Sequence, residues 1–240
     1  MNNSMMSAGL GLAVSGVASA TFTGYTVVAT NTANSGQNLV RFEVFANFNG
    51  ATDTVLNAFN LCSTSASWGE DAYGGFWHKD NETGGVLSQQ YGTWAPQLNG
   101  SATANRPFDS FLTIGGNPTG TNTTNADPSW NTGGSGIHGG GPEGWSRPDL
   151  PSNCQLGWFN SSPPNLQGRV GVAPNTATTV KLAQFVLSQG HGWRTYSLNL
   201  GYNSGVAGST VRFAQATFTL PAPGAIAILG LAGLTGRRRR

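Results

Sequence analysis

The segment LVRFEVFANF, residues 39–48, alternates apolar and polar side chains: Val40, Phe42, Val44, Ala46 and Phe48 fall on one side, Arg41, Glu43 and Asn47 on the other. Period two is the repeat of a β-strand, in which successive side chains point to opposite faces, so this stretch specifies a half-buried strand. YSLNLGY repeats the pattern with Tyr196, Leu198, Leu200 and Tyr202. TVVATNT, TVLNAFNL, FDSFLTIGG, TVKLAQFVLS and TVRFAQATFTL add β-branched and aromatic runs bounded by turn residues. No long 3.6-period helix competes with them. The expected fold is all-β, an antiparallel β-sandwich of jelly-roll or immunoglobulin-like type, with Val40, Phe42, Val44, Leu198, Leu200 and Phe213 in its core.

Between Gly115 and Pro164 the pattern changes: the chain is crowded with Gly, Pro, Asn, Ser and Thr, and only CQLGWF reads as a strand. The 35 glycines among 240 residues are about double the usual frequency of roughly 7%. Long loops of this composition are expected between the strands. Trp68, Trp77, Trp94, Trp130 and Trp145 fall in Gly-rich stretches, which predicts loop packing against one end of the body; Trp158 and Trp193 lie closer to strand patterns.

Charged residues make up only 9% of the chain, yet four of its twelve Lys/Arg stand together as Arg237, Arg238, Arg239 and Arg240. Without them 8 basic residues face 10 acidic ones, so no basic patch is left to neutralise phosphates and no nucleic-acid partner is expected. The opening MNNSMMSAGLGLAVSGVASA reads as a secretory signal, residues 1–20, with an apolar stretch from Met5 to Val17 and Ala18-Ser19-Ala20 as an A-x-A cleavage site. A mature chain would start at Thr21. The signal segment is expected to be helical. Cys62 and Cys154, the two cysteines, suit an oxidising space, where they could pair; two buried thiols are the other reading.

Residues 220–240 form a unit of their own. Thirteen uncharged residues from Gly224 to Gly236 would span roughly 20 Å as a helix, short of a hydrocarbon core of roughly 30 Å. Extension back to Leu220 and snorkelling arginines make a short transmembrane helix feasible, and the arginines would stay cytoplasmic. The succession Pro221-Ala222-Pro223, apolar run and Arg237–Arg240 resembles a PEP-CTERM sorting signal. That resemblance implies recognition by an exosortase, a membrane protease-transpeptidase that processes the chain near the prolines during export. Ala222 stands where that signal usually carries Glu. RPFDSFLTIGG followed by DPSWNTGG is also similar to bodies of uncharacterised exported proteins of this group. The body between the signals is residues 21–219.

Catalytic signatures are sparse. His138-Gly139-Gly140-Gly141 matches the backbone oxyanion-hole motif of esterases, but no G-x-S-x-G nucleophile elbow accompanies it, and a flexible glycine loop is the better reading. His78, His138 and His191 are too scattered for a sequence-local metal motif and read as surface loop residues. Glu70, Asp71, Asp80, Asn81 and Glu82 could gather oxygen ligands for calcium but lack the spacing of a calcium loop. Asp109, three residues from Arg106, reads as an edge-facing or Arg-paired structural carboxylate, since no second carboxylate is placed for acid/base work.

No enzyme, cofactor or metal site is therefore expected. The expected function is that of an exported cell-surface or extracellular-matrix protein, transiently anchored in the membrane, with export machinery and an exosortase-like enzyme as partners. The alternative is a carbohydrate-binding module, in which exposed Trp rings stack on sugars and Asn side chains bond hydroxyls of an extracellular polysaccharide. A hydrolase ranks last.

Overall fold

The computed structural model describes residues 21–63, 76–78, 87, 94, 108–116, 122–126 and 157–222. Nine strands run through them: β1 (Phe22–Asn34), β2 (Gln37–Phe48), β3 (Thr54–Ser63), β4 (Phe111–Leu112), β5 (Thr124–Ala126), β6 (Trp158–Asn160), β7 (Thr179–Ser188), β8 (Arg194–Asn203) and β9 (Arg212–Leu220). A 3₁₀ turn at Pro163–Asn165 is the one helical element among the described residues. The strands form two antiparallel sheets. Sheet A has the order β1-β2-β7-β4, and sheet B the order β5-β6-β3-β8-β9.

Local chemistry sets the hairpins. β1 and β2 join through Ser35 and Gly36, both at positive φ, with Asn34 facing Gln37. Two consecutive left-handed residues make the tight turn whose twist matches that of paired strands, and Gly at the second position accepts φ +76° without steric cost. In sheet A, β2 pairs with β7, so that Phe42 faces Phe185 and Val40 faces Leu187.

The two sheets share one hydrophobic cluster. Val40, Phe42 and Val44 of β2 and Phe185 and Leu187 of β7 are buried together with Ala58 and Leu61 of β3, Leu198 and Leu200 of β8 and Phe218 of β9. Each large side chain so buried contributes on the order of 1.5–3 kcal/mol. Tyr25 of β1 crosses between the sheets, its hydroxyl donating to the Leu198 carbonyl at 3.0 Å.

Five of the six expected core residues lie there; Phe213 does not. It is 69% exposed. Phe218 and Leu220 are buried and Ala214 packs against the cluster, so the even-numbered residues of β9 face inward and the odd-numbered ones outward. Phe213 and Phe218 have opposite parity, and a regular strand can bury only one of them. The expectation that only CQLGWF would be extended between Gly115 and Pro164 also needs correcting. β5 lies in that interval as well, and the described part of CQLGWF is extended from Trp158 onward.

Among the described residues no helix is long and apolar enough to cross a membrane. The signal segment 1–20, with Ala18 and Ala20, and the tail from Pro223 to Arg240 lie outside the described residues.

Candidate binding face and buried polar centres

The outward side of sheet B carries an aromatic and amide row. Asn125 faces Phe159, Phe159 faces Asn57, Asn57 faces Gly201 and Gly201 faces Phe213, so one register line crosses all five strands. Phe159 is 45% and Phe213 69% exposed. The neighbouring line brings together Phe59, Asn199 and Gln215. Phe59 meets Phe213 edge to face at 6.0 Å between ring centres, a preferred geometry for two quadrupoles, so each ring orients the other.

A bulge in β3 creates this face. The register shifts between Val55 and Asn57, so Val55 and Ala58 are both buried while Asn57 and Phe59 are only partly buried. Strict alternation would have set Val55, Asn57 and Phe59 on one side. Gly201 is the floor of the row: a Cβ there would lie 2.1 Å from Asn57 Oδ1. The Asn57 amide thus lies across the glycine. Asn57 Oδ1 and Asn199 Oδ1 are shielded from water and accept no hydrogen bond. The exposed rings of Phe159 and Phe213 offer stacking on this surface.

A second centre is buried beside sheet A. Trp77 N–H donates to the Val186 carbonyl and Ser110 N–H to the Trp77 carbonyl, which inserts residues 76–78 between β7 and the segment before β4. His78 is thereby fully buried, edge-on to Trp94 at 4.8 Å between ring centres. Its Nδ1 lies 3.5 Å from Asp109 Oδ1, and neither ring nitrogen has a hydrogen bond of good geometry. Burial pushes the imidazole down to about 4, opposed only by a contact with the Ser110 backbone, so the ring is neutral at pH 7 and the Asp109 contact is not an ion pair. A base must reach the proton it abstracts, and this imidazole is sealed from solvent.

A third centre ties the loops to the sheets. Gln167 Nε2 lies 3.0 Å from the Ile114 carbonyl, from Asn122 Oδ1 and from Thr124 Oγ1, while its Oε1 accepts from Thr123 N–H at 2.7 Å. Asn175 Nδ2 adds bonds to the carbonyls of Gln167 and Arg169. Side-chain amides here cross-link the backbone near Ile114 and Arg169 to the start of β5.

The expected site residues are distributed as follows. Pro221 and Ala222 follow directly on β9 and are partly buried; Pro223, Arg237, Arg238, Arg239 and Arg240 lie outside the described residues. Cys62, near the end of β3, is disulfide-bonded. Cys154 lies outside the described residues, as do His138, Arg106 and the five candidate calcium ligands Glu70, Asp71, Asp80, Asn81 and Glu82. Among the described residues no group of three His, Cys, Asp or Glu could hold a metal ion.

Two expectations are corrected. His78 and His191 are not surface histidines: both are buried, His191 with its Nδ1 2.6 Å from the Gly192 carbonyl and its ring edge-on to Phe42. Asp109 does not face an open edge but is 2% exposed beside His78. The tryptophans do not form a shared sugar platform among the described residues. Trp94 and Trp158 are in the core, the Trp77 indole N–H donates to Ser188 Oγ at 2.9 Å, and Trp193 is the only exposed one of the four described tryptophans. Phe159 and the two asparagines were not singled out from the sequence, and Phe213 was expected in the core; the signal for this face was the parity conflict in β9 and an Asn inside an apolar run of β3.

Comparison with protein-family models, with curated proteins and with solved structures found no match to this chain.

Proposed function

We propose that the chain is an exported, non-enzymatic cell-surface or extracellular-matrix protein, a β-sandwich body between an N-terminal secretory signal and a PEP-CTERM-like sorting tail. One observation carries this reading. The first strand begins at Phe22 and the last ends at Leu220, one residue beyond the expected signal cleavage and one residue before Pro221. Processing at either end would leave every strand in place. A disulfide at Cys62 suits an oxidising compartment. Pro221 and Pro223 cannot continue a ladder or a helix, which keeps the junction open to a membrane protease such as an exosortase-like enzyme. The arginines hold the tail at the cytoplasmic face until it is processed.

Mass spectrometry of the protein from envelope and medium tests the proposal. The expected mature species starts at Thr21 and has lost Arg237–Arg240, and neutral replacements of the four arginines misdirect or release unprocessed protein. Recovery of a soluble cytoplasmic chain with an intact Met1 end would end this reading.

A second reading, carbohydrate binding, is favoured by the outer row of sheet B, where Phe159 and Phe213 flank Asn57 and Gly201. Retention on an extracellular polysaccharide that falls when Phe159 and Phe213 are both replaced by Ala supports it; equal retention of the variant and the parent excludes this face.

A further inference from the structure

A bulge in sheet A brings together two side chains that strict alternation would part. β7 sets Lys181 opposite Phe45 and Ala183 opposite Val44, so Leu182 is the extra residue and stands opposite none in β2. Leu182 and Ala183 both enter the core, which leaves Lys181 and Gln184 on the outer side, opposite Phe45 and Glu43. There Lys181 Nζ lies 2.6 Å from Glu43 Oε1 and donates to Gln184 Oε1 at 3.2 Å. Gln184 Nε2 in turn donates to the Asp109 carbonyl at 2.8 Å, which fixes the plane of the amide. The Phe111 ring of β4 underlies the amine, with Nζ 5.2 Å from its centre. Gln184 is 4% exposed and the Lys181 side chain 15%. Neutralising a charge needs Lys181 and Glu43 alone; here the amine also touches a buried carboxamide.

We propose that Lys181 and Gln184 join in an intramolecular isopeptide bond, with Glu43 as the acid–base residue of that single self-modification. The oxygen that Nζ already contacts is one carbonyl bond, about 1.2 Å, from the carbon the amine attacks. A lysine becomes nucleophilic when it is desolvated or set beside another cation. Both hold at this position: burial lowers the pKa of Lys181, and Arg41, whose Nη2 lies 3.6 Å from Glu43 Oε2, adds to that effect, while the contact with Glu43 opposes it. In the reaction the Lys181 ammonium passes one proton to the Glu43 carboxylate, and neutral Nζ forms a bond to Gln184 Cδ. The Cδ–Nε2 bond breaks as Nε2 takes a second proton from Nζ and leaves as ammonia. Glu43 gives its proton to the departing ammonia and is restored as a carboxylate. No oxidant or cofactor enters the balance. The product closes a ring over Leu182 and Ala183 and makes the bulge permanent. This inference holds whether or not the chain is exported.

Mass spectrometry of the full chain, folded, then denatured and reduced, tests the bond. The wild-type chain should be lighter than its sequence by one ammonia. Trypsin cuts after a free lysine, so the digest should contain residues 170–194 as one peptide, lacking one ammonia and uncut after Lys181. Glu43→Gln keeps the shape of the side chain and removes the base; it should slow bond formation about 100-fold or more without changing the circular dichroism spectrum. Freshly made E43Q should therefore give residues 170–181 and 182–194 as separate peptides of full mass. Lys181→Arg should lose no ammonia. A folded wild-type chain of full mass that trypsin cuts completely after Lys181 overturns the proposal and leaves an ordinary ion pair. So does an ammonia loss that persists in K181R, which comes from another amide, or a cross-link that forms in E43Q as fast as in the wild type. The wild-type digest decides whether or not the variants fold.

Discussion

A histidine sealed from water holds its proton weakly, and His78 is sealed completely. Its folded value of about 4 lies below the unfolded value of about 6.5, so the unfolded chain binds the extra proton. Stability is therefore full above about pH 6.5 and is lost as the pH falls toward 4, at a limiting rate of about 1.4 kcal/mol per pH unit for one proton. Urea denaturation between pH 7 and 5 should show that decline, and His78→Gln should flatten it; parallel curves for the two proteins would mean that other groups carry the acid sensitivity. None of this was legible beforehand. GFWHKD has the composition of a loop, and only the hydrogen bonds of Trp77 to Val186 and Ser110 draw the segment inward. Gln167 illustrates the same limit: its partners come from residues 114, 122, 123 and 124, more than forty positions away, and no local pattern announces them.

Strands are where the sequence speaks most clearly, and their irregularities are where it misleads. β2 and β8 alternate cleanly, and their expected core residues Val40, Phe42, Val44, Leu198 and Leu200 are all buried. β9 offers two phenylalanines of opposite parity, and alternation alone cannot say which is inside; the answer depends on the pairing of Leu198 with Ala216 and Leu200 with Ala214 in β8. Phe218→Ala should cost about 3–5 kcal/mol in unfolding free energy, because it opens a cavity in the shared core. Phe213→Ala should cost about 1 kcal/mol or less, chiefly the edge-to-face contact with Phe59. Equal losses in chemical denaturation would contradict the assigned faces. In β3 the bulge before Asn57 is silent in TVLNAFNL, yet it decides that Asn57 and Phe59 turn outward.

At the scale of the whole molecule, two antiparallel sheets followed from the number of alternating runs, whereas the strand order, which separates β3 from β2 and places it between β6 and β8, came from packing. β1 and β9 contribute Tyr25 and Phe218, in edge-to-face contact at 5.7 Å, to the cluster that the two sheets share. A chain of residues 21–222 should melt within a few degrees of the full chain; a drop of ten degrees or more in calorimetry, on the order of 2 kcal/mol or more, would show that a terminal segment holds the fold. The ends of the body also lie at different heights. Phe22 packs against Tyr202, which faces Arg212 at the start of β9, while Leu220 faces Arg194 at the other end of the same ladder. Eight residue steps at about 3.4 Å separate those two levels. A pull on the tail against a load held at the first strand would therefore run along the strands, so that many ladder bonds share the force and must break together. Such a body resists mechanical tension as a shear joint does, with a strength set by the length of its first and last strands.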